Sequence, residues 1–206
     1  MNTSLRRSLL TALPVLLIGL VALGATPAPT APSSAPVAAK TLGIDGSHSF
    51  VTFKVRHNGV NDAWGRFNTI TGRIVLNDEK PGDSSVSLEI PADSVDTGNE
   101  KRDGHLKSPD FFNAVEFPTI TFESETVKLA GEDTFEVKGR MSLHGESKPL
   151  TVTVTRAVAE GRRGAVYGFA STFTFKRSDY GMDYGIEQGV LGDEITVMLN
   201  LEAGER

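Results

Sequence analysis

The chain has 206 residues, 39% of them hydrophobic and 23% charged, an ordinary balance for a soluble globular protein. It contains no cysteine and carries a formal charge of -5, which excludes a disulfide framework, a thiol nucleophile and lipid attachment through a cysteine. No basic stripe offsets the acidic balance, which argues against nucleic acid as a partner.

Arg6 and Arg7 precede an apolar run from Leu9 to Ala25, broken by Thr11, Pro14 and Gly19. A basic start, a short apolar core and the small residues Ala22-Leu23-Gly24-Ala25 describe a secretory signal peptide. It is predicted over residues 1–24, with cleavage after Gly24 or Ala25. The run is shorter than the roughly 20 apolar residues of a membrane span; an uncleaved anchor is the alternative. Removing Arg6 and Arg7 with a leader that holds no acid takes the charge from -5 to -7. Export places the protein in the periplasm or outside the cell. Residues 25–40, rich in Pro, Ala, Ser and Thr, read as an extended linker. All 11 Phe and every acidic residue follow it. Residues 41–205 therefore make one domain, long enough for a sizeable core.

Within that domain the dominant signal is alternation with period two. Strands are expected over Phe50 to Arg56, around Trp64 to Phe67, and from Ile70 to Leu76. Further runs alternate through Val86, Leu88 and Ile90, and through Ile120 and Phe122. Phe135, Val137, Met141 and Leu143 share one face, as do Leu150, Val152 and Val154, then Phe169, Phe173 and Phe175, and last Ile195 to Leu201. About eight strands with one wet face each, punctuated by Asn77-Asp78 and Pro81-Gly82-Asp83, indicate an antiparallel sheet closed into a barrel or folded into a sandwich.

KRDGHLKSPDFF, Lys101 to Phe112, breaks the pattern. Thr97 with Glu100 fits a capping box, so a helix is expected from about Gly98 to Ser108, ended by Pro109. Its only large apolar residue before the proline is Leu106, so polar contacts must hold it. Asp103, His105 and Asp110 could form a metal site or an acid/base pair, but Asp103 and His105 diverge on a helix. The four histidines sit in no ligand motif, and neither a metal nor a cofactor is expected. No GxSxG elbow or phosphate-cradling glycine loop is present.

By parity Arg177 continues the row of Phe169, Phe173 and Phe175, and His57 continues that of Val51, Phe53 and Val55. A buried arginine calls for a carboxylate; Asp103, expected within about 4 Å, and Asp179 are the candidates. The Phe-rich interior could be packed solid or hold one small ligand, since an eight-stranded barrel lies near that boundary.

Asp45-Gly-Ser-His-Ser-Phe50 with VTFKVRH, Trp64-Gly-Arg-Phe67, KRDGHLKSPDFF, FPTITFES, VKGRMSLHGESKPL and KRSDYGM together resemble the YceI-like family of polyisoprenoid-binding proteins, from Thr41 to Glu202. The resemblance implies an eight-stranded antiparallel lipocalin-like barrel with one helix near an end and an interior holding a long isoprenoid chain. It further implies a non-catalytic protein that binds, transports or sequesters a polyisoprenoid or the tail of an isoprenoid quinone. Lipid contacts are expected from Phe53, Val55, Phe67, Phe111, Phe112, Phe122, Met141, Phe169, Phe173 and Phe175. A polar mouth and lid are expected from His57, Asp103, His105, Arg177 and Asp179. Two features depart from the family's pattern: Trp64 stands where a small or aliphatic residue is expected, and could narrow the cavity, and Tyr184 to Ile195 form a Gly-rich stretch. An enzyme using Asp103, His105 and Arg177, and a packed structural barrel, are the competing readings; a homodimer is left open.

Overall fold

Between Thr134 and Leu143, Phe135, Val137, Met141 and Leu143 are buried while Glu136, Lys138 and Arg140 are exposed. Each large side chain so buried contributes about 1.5–3 kcal/mol over leaving it in water, which fixes strand register: a one-residue slip would invert both faces. The computed structural model describes residues 38–162 and 164–205. The expected leader, and the linker as far as residue 37, lie outside the described residues.

The strands are β1 (Lys40–Ile44), β2 (Phe50–His57), β3 (Asn61–Phe67), β4 (Thr71–Leu76), β5 (Ser85–Pro91), β6 (Val95–Asp96), β7 (Thr119–Gly131), β8 (Thr134–Leu143), β9 (Glu146–Gly161), β10 (Gly164–Lys176) and β11 (Leu191–Glu205). Among the described residues one α-helix, α1 (Glu100–Leu106), lies between β6 and β7. Pairing between these strands is antiparallel, and β11 pairs with both β1 and β2. Because β2 pairs with β3 and β1 with β4, while β3 pairs with β6 and β4 with β5, these six strands are three interrupted staves. With β7 to β11 they complete an eight-staved meander that closes on itself.

The interruptions are built chemically. Between β1 and β2, Glu202 of β11 donates its N–H to the Ser49 hydroxyl at 3.0 Å and accepts from the Asp45 N–H at 2.8 Å. Buried Ser49 thus substitutes for a missing ladder partner. The other two breaks face one another, where Asn68 donates to the Ser94 carbonyl at 2.9 Å.

Two seams are short. β3 meets β6 through only Arg66–Asp96 and Phe67–Val95. β9 and β10 pair only as far as Thr155–Ala170. Into the second wedge packs the turn Arg177–Tyr180 with Met182, where Tyr180 and Met182 are buried beside Met141 and Leu143. A separate core of Leu42, Ile44, Ile74, Leu76, Tyr167 and Leu201 fills the β1–β4 end.

α1 is shorter than expected, and its cap is Asn99, whose side chain accepts from the Arg102 N–H at 3.0 Å. Thr97 is therefore not the cap. Its N–H donates to the Asp103 carboxylate at 2.9 Å, its hydroxyl donates to the same oxygen, and Arg102 donates back to Thr97. An aspartate one turn in satisfies the loop's donors in place of the Glu100 box.

Candidate functional site: an apolar cavity open at one end

The barrel encloses a cavity of about 770 Å³, lined from all eight staves. Its wall includes Val51, Phe67, Ile74, Leu88, Phe122, Phe135, Met141, Val152, Phe169, Phe173 and Val197. Its volume falls in the range of small-molecule sites, and these aliphatic and aromatic walls favour an apolar occupant.

Glycine makes part of the space. Phe53 pairs with Gly65, and a Cβ on Gly65 would stand 2.4 Å from the Phe53 ring. The ring therefore lies over the glycine and continues into a chain of edge and tilted contacts, Phe53–Phe67 at 5.6 Å and Phe67–Phe112 at 5.4 Å.

The lining residues that are exposed are His57, Asn61, Trp64, Arg102, Tyr184 and Val190. They belong to the β2–β3 hairpin, α1 and the loop before β11, so the cavity opens at that end. A bond from Asn58 N–H to the Val190 carbonyl, 2.8 Å, joins hairpin to loop. Rings of His105, Phe111 and Tyr184 meet at 4.9 to 5.2 Å and join the loop to the helical segment. His105 also pairs with Asp110 at 2.8 Å. At the rim Asp62 meets Lys54 at 2.9 Å and Arg56 at 3.3 Å; the Lys54 hydrogen bond holds its carboxyl below the usual range.

All ten residues expected to contact lipid line this cavity. Phe111 is buried and Phe112 half-buried, both beyond Pro109. Of the polar set, His57 and His105 stand at the mouth and Arg177 in the wall. Asp103 and Asp179 are not lining residues: Asp103 is engaged by Thr97, and Asp179 is exposed.

The expected Asp103–Arg177 pair does not form, nor does Asp179 replace it. Arg177, 3% exposed, donates to the carbonyls of Met182 (2.6 Å), Tyr184 (2.8 Å), Gly192 (2.9 Å) and Leu191 (3.4 Å). Four backbone acceptors satisfy the fork without a contacting carboxylate. Burial depresses its pKa, with Asp193 and Asp183 opposing. Asp193 is itself held by Ser178, from the N–H at 3.0 Å and the hydroxyl at 2.9 Å. Nearby, burial pushes the Tyr180 phenol up to about 12. Asp103, His105 and Arg177 thus have separate partners and form no joint constellation.

Sequence reading missed Trp64 as a rim residue, and Tyr184, Val190 and Leu191 as lining. Trp64 shares the outward face of β3 with Asp62 and Arg66, is 53% exposed, and is among the lining residues of the cavity. Outside the cavity, Asp45, His48 and Glu202 bring one ligand atom each within 4.8 Å. His48 Nδ1 lies 2.9 Å from Asp45 and 3.8 Å from Glu202, a surface ion-pair group.

A closed antiparallel meander around an apolar cavity defines a lipocalin-like barrel. The YceI-like domain model matches residues 43–203, and the chain belongs to that family. A UPF0312 protein of Azotobacter vinelandii is 34% identical over 161 residues, covering 77% of this chain and 82% of that one. One from Shewanella baltica is 36% identical over 160 residues, covering 75% and 83%. Among solved structures, Burkholderia cenocepacia BcnA superposes with a TM-score of 0.71 at 24% identity, over 78% of this chain and 99% of that one. A polyisoprenoid binding domain from Saccharophagus degradans gives 0.63 at 19% identity, over 80% and 98%. Both show the shared fold.

Proposed function

We propose that this barrel is a non-catalytic carrier or sequestering protein for a polyisoprenoid or similar long-chain lipid, isoprenoid-quinone tails included, acting outside the cytoplasm. The observation that carries the proposal is the 770 Å³ cavity walled by aliphatic and aromatic side chains and open at one end. A flexible apolar chain entering it gains roughly 25 cal/mol per Å² removed from water, less the cost of ordering the chain. Affinity then grows with chain length, and a head group left at the rim contributes little. The Saccharophagus degradans neighbour, described as a polyisoprenoid binding domain, supports this chemistry. Residues 1–24 serve as the export signal and 25–40 as a spacer; no helix among the described residues is long and apolar enough to cross a membrane.

The test is to purify the protein without residues 1–24, extract it with organic solvent and identify any lipid by mass spectrometry. A long-chain isoprenoid near one per barrel is expected. An empty protein that also takes up no added isoprenoid would contradict the carrier reading.

A further inference from the structure

Val60, 82% exposed, tips the β2–β3 hairpin, and Trp64 (53%), Tyr184 (47%) and Val190 (39%) stand beside it around the cavity mouth. Hydrophobic residues exposed singly are ordinary. Here four of them stand at one opening, whose hairpin, loop and helical segment are joined by the Asn58–Val190 bond and by the contacts of Tyr184 with His105 and Phe111. Apolar surface gathered in this way marks an interaction site.

We infer that this rim seats on a lipid bilayer, with Val60 and Trp64 entering the interfacial layer so that the cargo passes between membrane and cavity without crossing water. The inference rests on the carrier reading and adds where the exchange occurs. Three observations select a bilayer over a protein surface. The patch is continuous with the exposed part of the cavity lining among the described residues, and an apolar chain entering there passes over it. Trp and Tyr are the side chains that settle at membrane interfaces, because one part of the ring is apolar and another is polar. Cations flank the ring: Lys54 Nζ lies 5.8 Å from the Trp64 ring centroid, and Lys54 and Arg56 share the single carboxylate of Asp62, which leaves that group net positive. Long basic side chains beside an interfacial aromatic reach lipid phosphates.

Trp64 is the only tryptophan of the chain and reports on the rim directly, whatever the leader does. The full-length protein is mixed with vesicles of brominated phosphatidylcholine, with and without phosphatidylglycerol, and Trp64 emission is followed. The expected result is a blue shift with bromine quenching. Val60→Asp should need about tenfold more lipid for the same quenching, and Val60→Ser should fall between. Val60 does not line the cavity, so lipid extracted from Val60→Asp should match the parent. The inference is overturned if Val60→Asp is quenched at the parent's lipid concentration, or if aqueous acrylamide still reaches Trp64 with vesicles in excess. It is equally overturned if acrylamide protection appears without vesicles and grows with protein concentration, because the rim then meets a second copy. An empty cavity combined with Val60-dependent quenching would contradict the carrier reading and leave the membrane-seated rim standing.

Discussion

The Arg177 guanidinium donates to the Met182 carbonyl at 2.6 Å inside the barrel wall, and its other donors hold Tyr184, Leu191 and Gly192. One side chain therefore ties the loop that supplies Tyr184, Val190 and Leu191 to the mouth. Arg177→Met keeps the volume but orphans several carbonyls. The expected loss is about 3 kcal/mol, read as a lower urea midpoint. Hydrogen exchange should accelerate most at residues 182–192. A change under about 1 kcal/mol would show that the loop is held by other contacts.

Gly65→Ala sets a Cβ against the Phe53 ring, which has empty cavity beside it. The ring should swing inward, so the stability cost stays near 1 kcal/mol, the low end for an overpacked site. Lipid uptake should fall, and Phe53→Ala should restore it in the double variant. Unchanged uptake by Gly65→Ala would mean that the Phe53 ring does not border the occupied volume.

α1 hangs on Asp103, which takes both donors of Thr97. Asp103→Ala should cost about 1 kcal/mol locally and raise hydrogen exchange over residues 97–106, leaving β8 unchanged. Lipid release should quicken as the helix over the mouth loosens. Equal protection in variant and parent would remove α1's dependence on this contact.

The Asp45–His48 pair gives a prediction in pH. Hydrogen bonding to Asp45 raises the His48 pKa above its ordinary 6.5, and the same bond lowers that of Asp45. The stabilisation from His48 is present below the unfolded value and is lost as pH rises through the raised one. That from Asp45 is present at neutral pH and lost as pH falls through its lowered value. The pair therefore contributes most between those two points. An NMR titration should place His48 above 6.5, and Asp45→Asn should bring it back down.

Much of this arrangement was legible from residue patterns, and the failures have identifiable causes. Alternation located the long strands because each buries one face against the cavity. β1 escaped notice because Lys40–Ile44 is five residues long and Gly43 interrupts it, although Leu42 is fully buried. Interrupted staves left no mark, since Ser49 and Asn68 replace ladder bonds with single contacts. Parity placed Arg177 in the wall correctly. Its partners could not be read, because backbone carbonyls carry no side-chain signature and three of the four acceptors, Tyr184, Leu191 and Gly192, lie in the Gly-rich stretch. Thr97 reads as a cap in the sequence because Ser and Thr cap by the same chemistry that Asn99 performs here.

In the proposed carrier, chain length read by an apolar interior sets affinity. Delipidated protein titrated with polyprenols of increasing length measures this most directly. Kd should fall roughly tenfold for each isoprene unit until the cavity is full, and exchanging the terminal hydroxyl for another small head group should change it little. Failure of every length to bind, or an affinity that follows the head group and ignores chain length, would contradict the account.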